Sequence, residues 1–261
     1  MSLKGDVVIV TGSSSGVGAS TALLLAERGC NVVINFSSNK DGAYEVKERC
    51  EAKGVEALVI QADVADDKDC KKLAGSAIEK WGRIDGLVNN AGTTKFCAHD
   101  DLDGLDKTDF LDIYSVNTVG PYQMVRAVAP NMRQHGKGAI VNVASVAGVI
   151  GIGSSIAYAA SKGALITLGL SLARVLGPEI RINTVCPGFI QGDWLKDGMG
   201  EKIYEESKQR LESTTPLRLT TTPNDIANGI IYFLESAGVI TGETLMLDGG
   251  FHLNQLASGR R

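Results

Sequence analysis

Seven short apolar runs recur along the chain, at 7–10, 32–36, 57–60, 84–88, 139–143, 180–185 and 244–247. Most are rich in Val, Ile or Leu and all are four to six residues long, which predicts strands buried on both faces. Between them, apolar residues return every three or four positions, at about 17–28, 40–53, 67–80, 104–134, 155–176 and 224–236, which predicts helices. Strand and helix alternate throughout. Right-handed βαβ crossovers and a parallel sheet with helices on both faces follow from that order. No repeat, low-complexity tract or linker composition interrupts it, so one domain spanning 1–261 is expected. One segment breaks the rhythm: 188–222 is polar, with a short amphipathic stretch at 202–211. A connection that long is either a small helical unit or a lid over a site.

The first strand runs into Thr11-Gly12-Ser13-Ser14-Ser15-Gly16-Val17-Gly18, and a helical pattern opens directly after it. Strand, glycine turn and helix in that order is the setting of a dinucleotide fingerprint. Gly12 allows the tight turn, Gly16 lets backbone approach a pyrophosphate, and Gly18 lets helix pack closely on strand. The helix N-terminus suits the negative charge. The spacing is G-x-x-x-G-x-G rather than G-x-G-x-x-G, and a plain strand–helix turn also explains the loop taken alone. With the alternation, it predicts an α/β fold with a Rossmann-like, doubly wound parallel sheet of about seven strands.

Candidate chemistry lies at Ser145 and at Tyr158-Ala-Ala-Ser-Lys162. Tyr158 and Lys162, four apart, share a helix face. An ordinary tyrosine is a poor acid or base at neutral pH, and a nearby ammonium favours its phenolate. Such a tyrosine exchanges a proton with a carbonyl or alcohol oxygen, which the Ser145 hydroxyl can also hold. Alone, the Tyr–Lys spacing also fits an ordinary surface pair.

Together these motifs resemble the short-chain dehydrogenase/reductase family, and most closely its 3-oxoacyl-(acyl carrier protein) reductase and glucose-dehydrogenase-like branches. The resemblance spans nearly the whole chain. It includes Asp63-Val64, Asn89-Asn90-Ala91-Gly92, Asn117, Asn183, Pro187-Gly188, Thr241-Gly-Glu-Thr and Asp248-Gly-Gly250. It implies a catalytic set of Asn117, Ser145, Tyr158 and Lys162. In that set Lys162 also holds the nicotinamide ribose, and Asn117 binds a water through a helix irregularity. It implies further cofactor contacts at Ser14, Ser15, Val17, Asp63, Val64, Asn90, Ala91, Gly92, Pro187 and Gly188, with 188–222 as the substrate loop. One departure stands out. Gly192 occupies the position where relatives place a Thr on the nicotinamide carboxamide, so backbone around Ile190 is expected to serve.

The second strand ends Asn35-Phe36-Ser37-Ser38-Asn39-Lys40, with Phe36 where an NAD-binding acid is expected. Without a carboxylate, a 2′-phosphate is not repelled, and Ser37, Ser38, Asn39 and Lys40 can donate to it. This favours NADP(H) over NAD(H) without excluding the latter. Ser15, where many NADP-preferring relatives carry Arg or Lys, argues the other way. The pocket is expected from 93–98, 146–155 and 188–211, with Val146, Val149, Ile150, Ile152, Phe189 and Trp194 making it apolar. A carbonyl or secondary-alcohol substrate is implied, foremost a 3-oxoacyl thioester. A sugar, steroid or cyclic ketone is the alternative, and a dinucleotide-binding protein without turnover the third reading. Were acyl carrier protein the carrier, Arg133, Lys137 and Arg174 are candidate contacts, and the acidic run at 99–103 works against them.

Composition changes little. The chain is 44% hydrophobic and 21% charged, with a net charge of −4 that gives no reason to expect nucleic acid. No uninterrupted apolar stretch approaches 18 residues and no signal-peptide core is evident, so neither a membrane span nor export is expected. Five cysteines, at 30, 50, 70, 97 and 186, have neither C-x-x-C nor zinc spacing. With His99, His135 and His252 scattered, no metal site is expected, and the cysteines fit a reducing cytoplasm. Apolar residues on several faces of 104–134 and 155–176, helices that pair in the family, point to a homotetramer.

Overall fold

The computed structural model describes residues 3–254, so 1–2 and 255–261 of the expected domain lie outside the described residues. In chain order it forms β1 (Val7–Val10), α1 (Gly16–Glu27), β2 (Asn31–Phe36), α2 (Lys40–Glu51), β3 (Ala57–Gln61), α3 (Asp67–Trp81) and β4 (Gly86–Asn89). Then follow α4 (Lys107–Tyr114), a π-helical turn (Ser115–Val119), α5 (Gly120–Gln134), β5 (Gly138–Val143), α6 (Ala147–Ile150), α7 (Ile156–Leu176) and β6 (Ile180–Pro187). The chain continues through α8 (Asp193–Met199), α9 (Glu201–Thr214), α10 (Pro223–Glu235), β7 (Thr244–Leu247) and a 3₁₀ turn, Phe251–Leu253. The seven strands are all parallel in the order β3-β2-β1-β4-β5-β6-β7. This is the doubly wound, Rossmann-like sheet the alternation predicts. The order reverses between β1 and β4, and the carboxyl ends there form the crevice in which such sheets bind ligands.

Alternation along β1 shows why its strands read as continuous apolar runs. Val8 and Val10 pack on one face with Leu25, Ile230 and Phe233. Val7 and Ile9 pack on the other with Leu73, Met124, Val128 and Met132. Side chains of a strand point to opposite faces, so a strand covered on both sides has no polar face to show.

The expected helix at 104–134 is instead two helices joined by the π-helical turn. Asp106 starts the first of them through a capping box with Asp109. Pro121 has no N–H to give its i−4 partner, the Asn117 carbonyl, and the ladder widens there. The strand expected at 84–88 begins two residues late, because the Ile84 N–H goes to the Asn131 side chain (2.8 Å). The polar segment 188–222 holds two helices, α8 and α9, where only 202–211 was expected to be helical. Its two ends meet: the Gln191 N–H donates to the Thr221 carbonyl (2.8 Å) and the Thr221 N–H to that of Phe189 (3.0 Å). By length and composition α7 is apolar enough to cross a membrane, although polar residues such as Ser161, Lys162 and Arg174 interrupt it. Here it lies against the sheet and brings Tyr158 and Lys162 to the crevice.

Candidate active site

The glycine loop is held by two asparagines. The Asn35 side chain accepts from the Gly12 N–H (2.9 Å) and donates to the Ala62 carbonyl (2.9 Å). The Asn90 amide donates to the carbonyls of Thr11 and Gly12, both at 2.9 Å. Gly12 has φ +60° and lies against Ala91, where a Cβ would come within 2.9 Å of the Ala91 Cα. At Gly18 a Cβ would come within 2.3 Å of the Gly12 carbonyl oxygen and 2.7 Å of the Ser13 Cα. Gly18→Ala should therefore push α1 off the loop, lowering stability by about 1–3 kcal/mol and weakening dinucleotide binding. Denaturant melts and cofactor titration measure both effects, and an unperturbed variant would contradict the packing argument.

No side chain caps α1 at Ser15, and its first turn carries no acidic residue. A Cβ at Gly16, φ +54°, would face open space. A helix start with free N–H groups facing an open glycine fits an anionic pyrophosphate.

A cleft of about 1680 Å³ runs across the carboxyl ends of the strands. Of the residues singled out in the sequence, Gly12, Ser14, Ser15, Gly16, Val17, Ser37, Asp63, Val64, Asn90, Ala91 and Gly92 line it. So do Ser145, Tyr158, Lys162, Pro187, Gly188 and Ile190. Six of the candidate positions do not, and each has another placement. Phe36 is turned into the core beside α1 and α2, because β2 alternates its faces and Asn35 takes the cleft side. Ser38 is exposed, and Asn39 accepts the Gly42 N–H as the cap of α2. Gly18 serves packing, and Asn117 is buried behind the cleft wall. Lys40 is exposed, its ammonium 5.8 Å from the centre of the Tyr44 ring.

Asn117 accepts the Thr93 N–H (2.8 Å) and donates to the Thr93 carbonyl (2.9 Å) and the Ser161 hydroxyl (3.0 Å). A Cβ at Gly92 would sit 3.4 Å from both the Asn117 Oδ1 and the Lys162 Nζ, so this turn, Asn117 and Lys162 lie side by side. The Lys162 ammonium donates to the Val143 carbonyl (2.9 Å). Burial pulls its pKa down to about 8. Tyr158, half-buried in the cleft wall, is pushed up to about 12 by burial, which a hydrogen bond with Ser145 only partly offsets. This corrects the expectation that Lys162 depresses Tyr158. The ammonium lies 5.7 Å from the centre of the phenol ring and spends a donor on backbone.

The apolar half of the cleft is built partly from residues other than those expected. Val146, Ile152, Phe189 and Trp194 line it, whereas Val149 and Ile150 are exposed elsewhere. Phe96, within the expected segment 93–98 but not named among its apolar residues, lines it and meets Trp194 at 5.8 Å between ring centres. Its signal was an aromatic residue a few positions beyond the Asn-Asn-Ala-Gly turn. Gly192 stands in the cleft with φ +149°, its N–H given to the Tyr204 hydroxyl (3.3 Å). Lys137 pairs with Asp6 just before β1, at the opposite edge of the sheet, and Arg133 binds the Val175 carbonyl at the end of α7. Neither is near the cleft, because α5 and α7 run antiparallel to the strands and end far from it.

Comparison with known proteins agrees with this geometry. A family model described as Enoyl-(Acyl carrier protein) reductase matches residues 12–252. A Streptomyces violaceoruber protein assigned as ketoacyl reductase 2 of the granaticin polyketide synthase is 38% identical, over 96% of this chain and 97% of its own. The 3-oxoacyl-(acyl carrier protein) reductase of Staphylococcus aureus is 35% identical over 94% of this chain and 97% of its own. Among solved structures, an NAD⁺-bound xylitol dehydrogenase superposes with a TM-score of 0.87 at 29% identity, covering 96% of this chain and all of the other. With that match over most of its length, the chain belongs to the short-chain dehydrogenase/reductase family, as an NAD(P)-dependent oxidoreductase of CH–OH and carbonyl groups.

Proposed function

We propose that this chain is an NADP(H)-dependent reductase of 3-oxoacyl thioesters, with Ser145, Tyr158, Lys162 and Asn117 as its catalytic set. The observation that carries the reading is the meeting of two hydroxyls, Ser145 and Tyr158, and one buried ammonium, Lys162, on a cleft whose floor is the glycine loop. Two hydroxyls at one point suit a carbonyl oxygen better than a carbon–carbon double bond. The ketoacyl reductases among the relatives support the substrate class.

When bound, the nicotinamide supplies the hydride. Ser145 donates a hydrogen bond to the substrate oxygen and fixes its position. Tyr158, whose raised pKa keeps its proton on the phenol at neutral pH, gives that proton to the oxygen. Lys162 is placed to hold ribose hydroxyls. The Asn117 carbonyl, which Pro121 leaves without its usual helical donor, would hold a water that returns a proton to Lys162. Segment 188–222 serves as the lid, and Ile190 backbone takes the nicotinamide carboxamide in place of the absent threonine.

The cofactor choice rests on the end of β2. Ser37 lines the cleft there and Phe36 is turned inward, so no carboxylate from that strand meets the ribose. Titrating NADPH and NADH by nicotinamide fluorescence should show tighter NADPH binding by tenfold or more. Equal or better NADH binding would overturn this part of the reading. The xylitol dehydrogenase and levodione reductase among the structural neighbours favour a second reading, a dehydrogenase of another secondary alcohol. A panel of thioesters, ring ketones and polyols separates the two. The exposed apolar residues Val119 and Tyr122 near the start of α5, with Leu170 and Val175 on α7, suit pairing of copies into a cytoplasmic homotetramer. Light scattering should give four times the chain mass, and a monomer would refute it.

A further inference from the structure

Helix α8 lies at the surface and packs closely at one place. It contributes no buried residue and is bracketed by Gly192 and Gly200, with φ of +149° and +83°. Both angles lie where glycine is favoured. Its seat is the Phe96 ring. At Gly198 a Cβ would fall 1.9 Å from the Phe96 Cε2, so only glycine lets the two surfaces close. Phe96 belongs to a fixed wall: the neighbouring Cys97 N–H donates to the Ser154 carbonyl (2.9 Å), and the hydroxyls of Thr94 and Ser154 lie 2.7 Å apart. With α8 seated, the Trp194 indole meets Phe96 at 5.8 Å and Tyr158 at 6.1 Å between ring centres. These are ordinary tilted aromatic contacts. The indole thus walls the space beside the proton donor, while half its surface stays open to the cleft and solvent.

We propose that Trp194, held over Tyr158 by the seat Gly198 offers Phe96, limits the size of the group a substrate carries beside its carbonyl. Compact 3-oxoacyl groups are then accepted in preference to long ones. This rests on the 3-oxoacyl reading and adds which acyl groups the site takes. A long chain must displace the indole and unseat α8, whereas a short one reaches Ser145 and Tyr158 with the lid closed.

The test compares kcat/KM for acetoacetyl and 3-oxodecanoyl N-acetylcysteamine thioesters in the wild type and four variants, Trp194→Ala, Gly198→Ala, Phe96→Ala and the Phe96→Ala/Gly198→Ala double. The wild type should favour the short thioester. Trp194→Ala should shift the ratio toward the long one by about tenfold or more, the scale of a few methylenes in an apolar pocket. Gly198→Ala should shift it the same way, but add nothing when Phe96 is already alanine, since without the ring there is no seat to lose. A wild type that prefers the long thioester, an unchanged ratio in Trp194→Ala, or a Gly198→Ala effect independent of Phe96 would overturn the proposal. Failure of the wild type on every thioester, with activity on ketones, would sink the 3-oxoacyl reading instead. The same variants assayed on small against bulky ring ketones would then decide the size limit.

Discussion

Tyr158→Phe should lower kcat by a factor of about 10² to 10⁴, the usual share of a positioned acid or base. Cofactor affinity should stay within a few-fold of the wild type. The change removes one oxygen and keeps the ring, so the contact with Trp194 and the helical position of Lys162 survive. The Ser145 hydroxyl still holds the substrate oxygen but has no mobile proton donor beside it. Steady-state turnover at saturating cofactor, paired with a binding titration, separates the two effects. Near-normal turnover would remove Tyr158 from the chemistry, and lost cofactor binding would give it a structural role instead.

Lys162→Met should abolish turnover and change how stability depends on pH. In the folded protein the Lys162 pKa lies near 8, against the usual value of 10.5. Between those values the unfolded chain binds more protons than the folded one, so wild-type stability rises with pH across that window. Below about pH 8 both states carry the proton, and the full cost of burying the charge applies. The difference is worth roughly 3 kcal/mol at most, of which roughly 2 should appear between about pH 8 and pH 10. Tyr158 acts with opposite sign, but its stability contribution is lost only as pH rises from about 10 towards 12. Denaturant titrations of wild type and Lys162→Met across pH 7 to 10 should therefore diverge, the wild type gaining on the variant as pH rises. Parallel curves would show that Lys162 is not buried as a charge in the free protein.

The sheet was legible because its strands are covered on both faces, which leaves continuous apolar runs such as Val7–Val10 and little ambiguity of period. The glycine loop and the Tyr–Lys pair were legible because local geometry demands particular residues at fixed spacing. What was missed depends on contacts far apart in sequence. Asn35 reads as a polar residue in a strand, and only the fold shows that it bridges Gly12 to Ala62. Phe36 stood in the right strand on the wrong face, because alternation had to be settled by one residue. The break at Pro121 could have been read from the sequence, since a proline inside a long helical pattern frees the carbonyl four residues earlier. The seat of Gly198 on Phe96 joins positions about a hundred residues apart, and no local pattern announces it.

The most direct measurement is the reaction itself: NADPH and acetoacetyl-N-acetylcysteamine incubated with wild type and Tyr158→Phe, following nicotinamide absorbance and 3-hydroxybutyryl thioester together. With Tyr158 as proton donor to a 3-oxoacyl thioester, the wild type forms one product per NADPH consumed and the variant runs at least about a hundredfold slower. Equal rates in the two proteins, or NADPH consumed without the hydroxy thioester, would contradict that role.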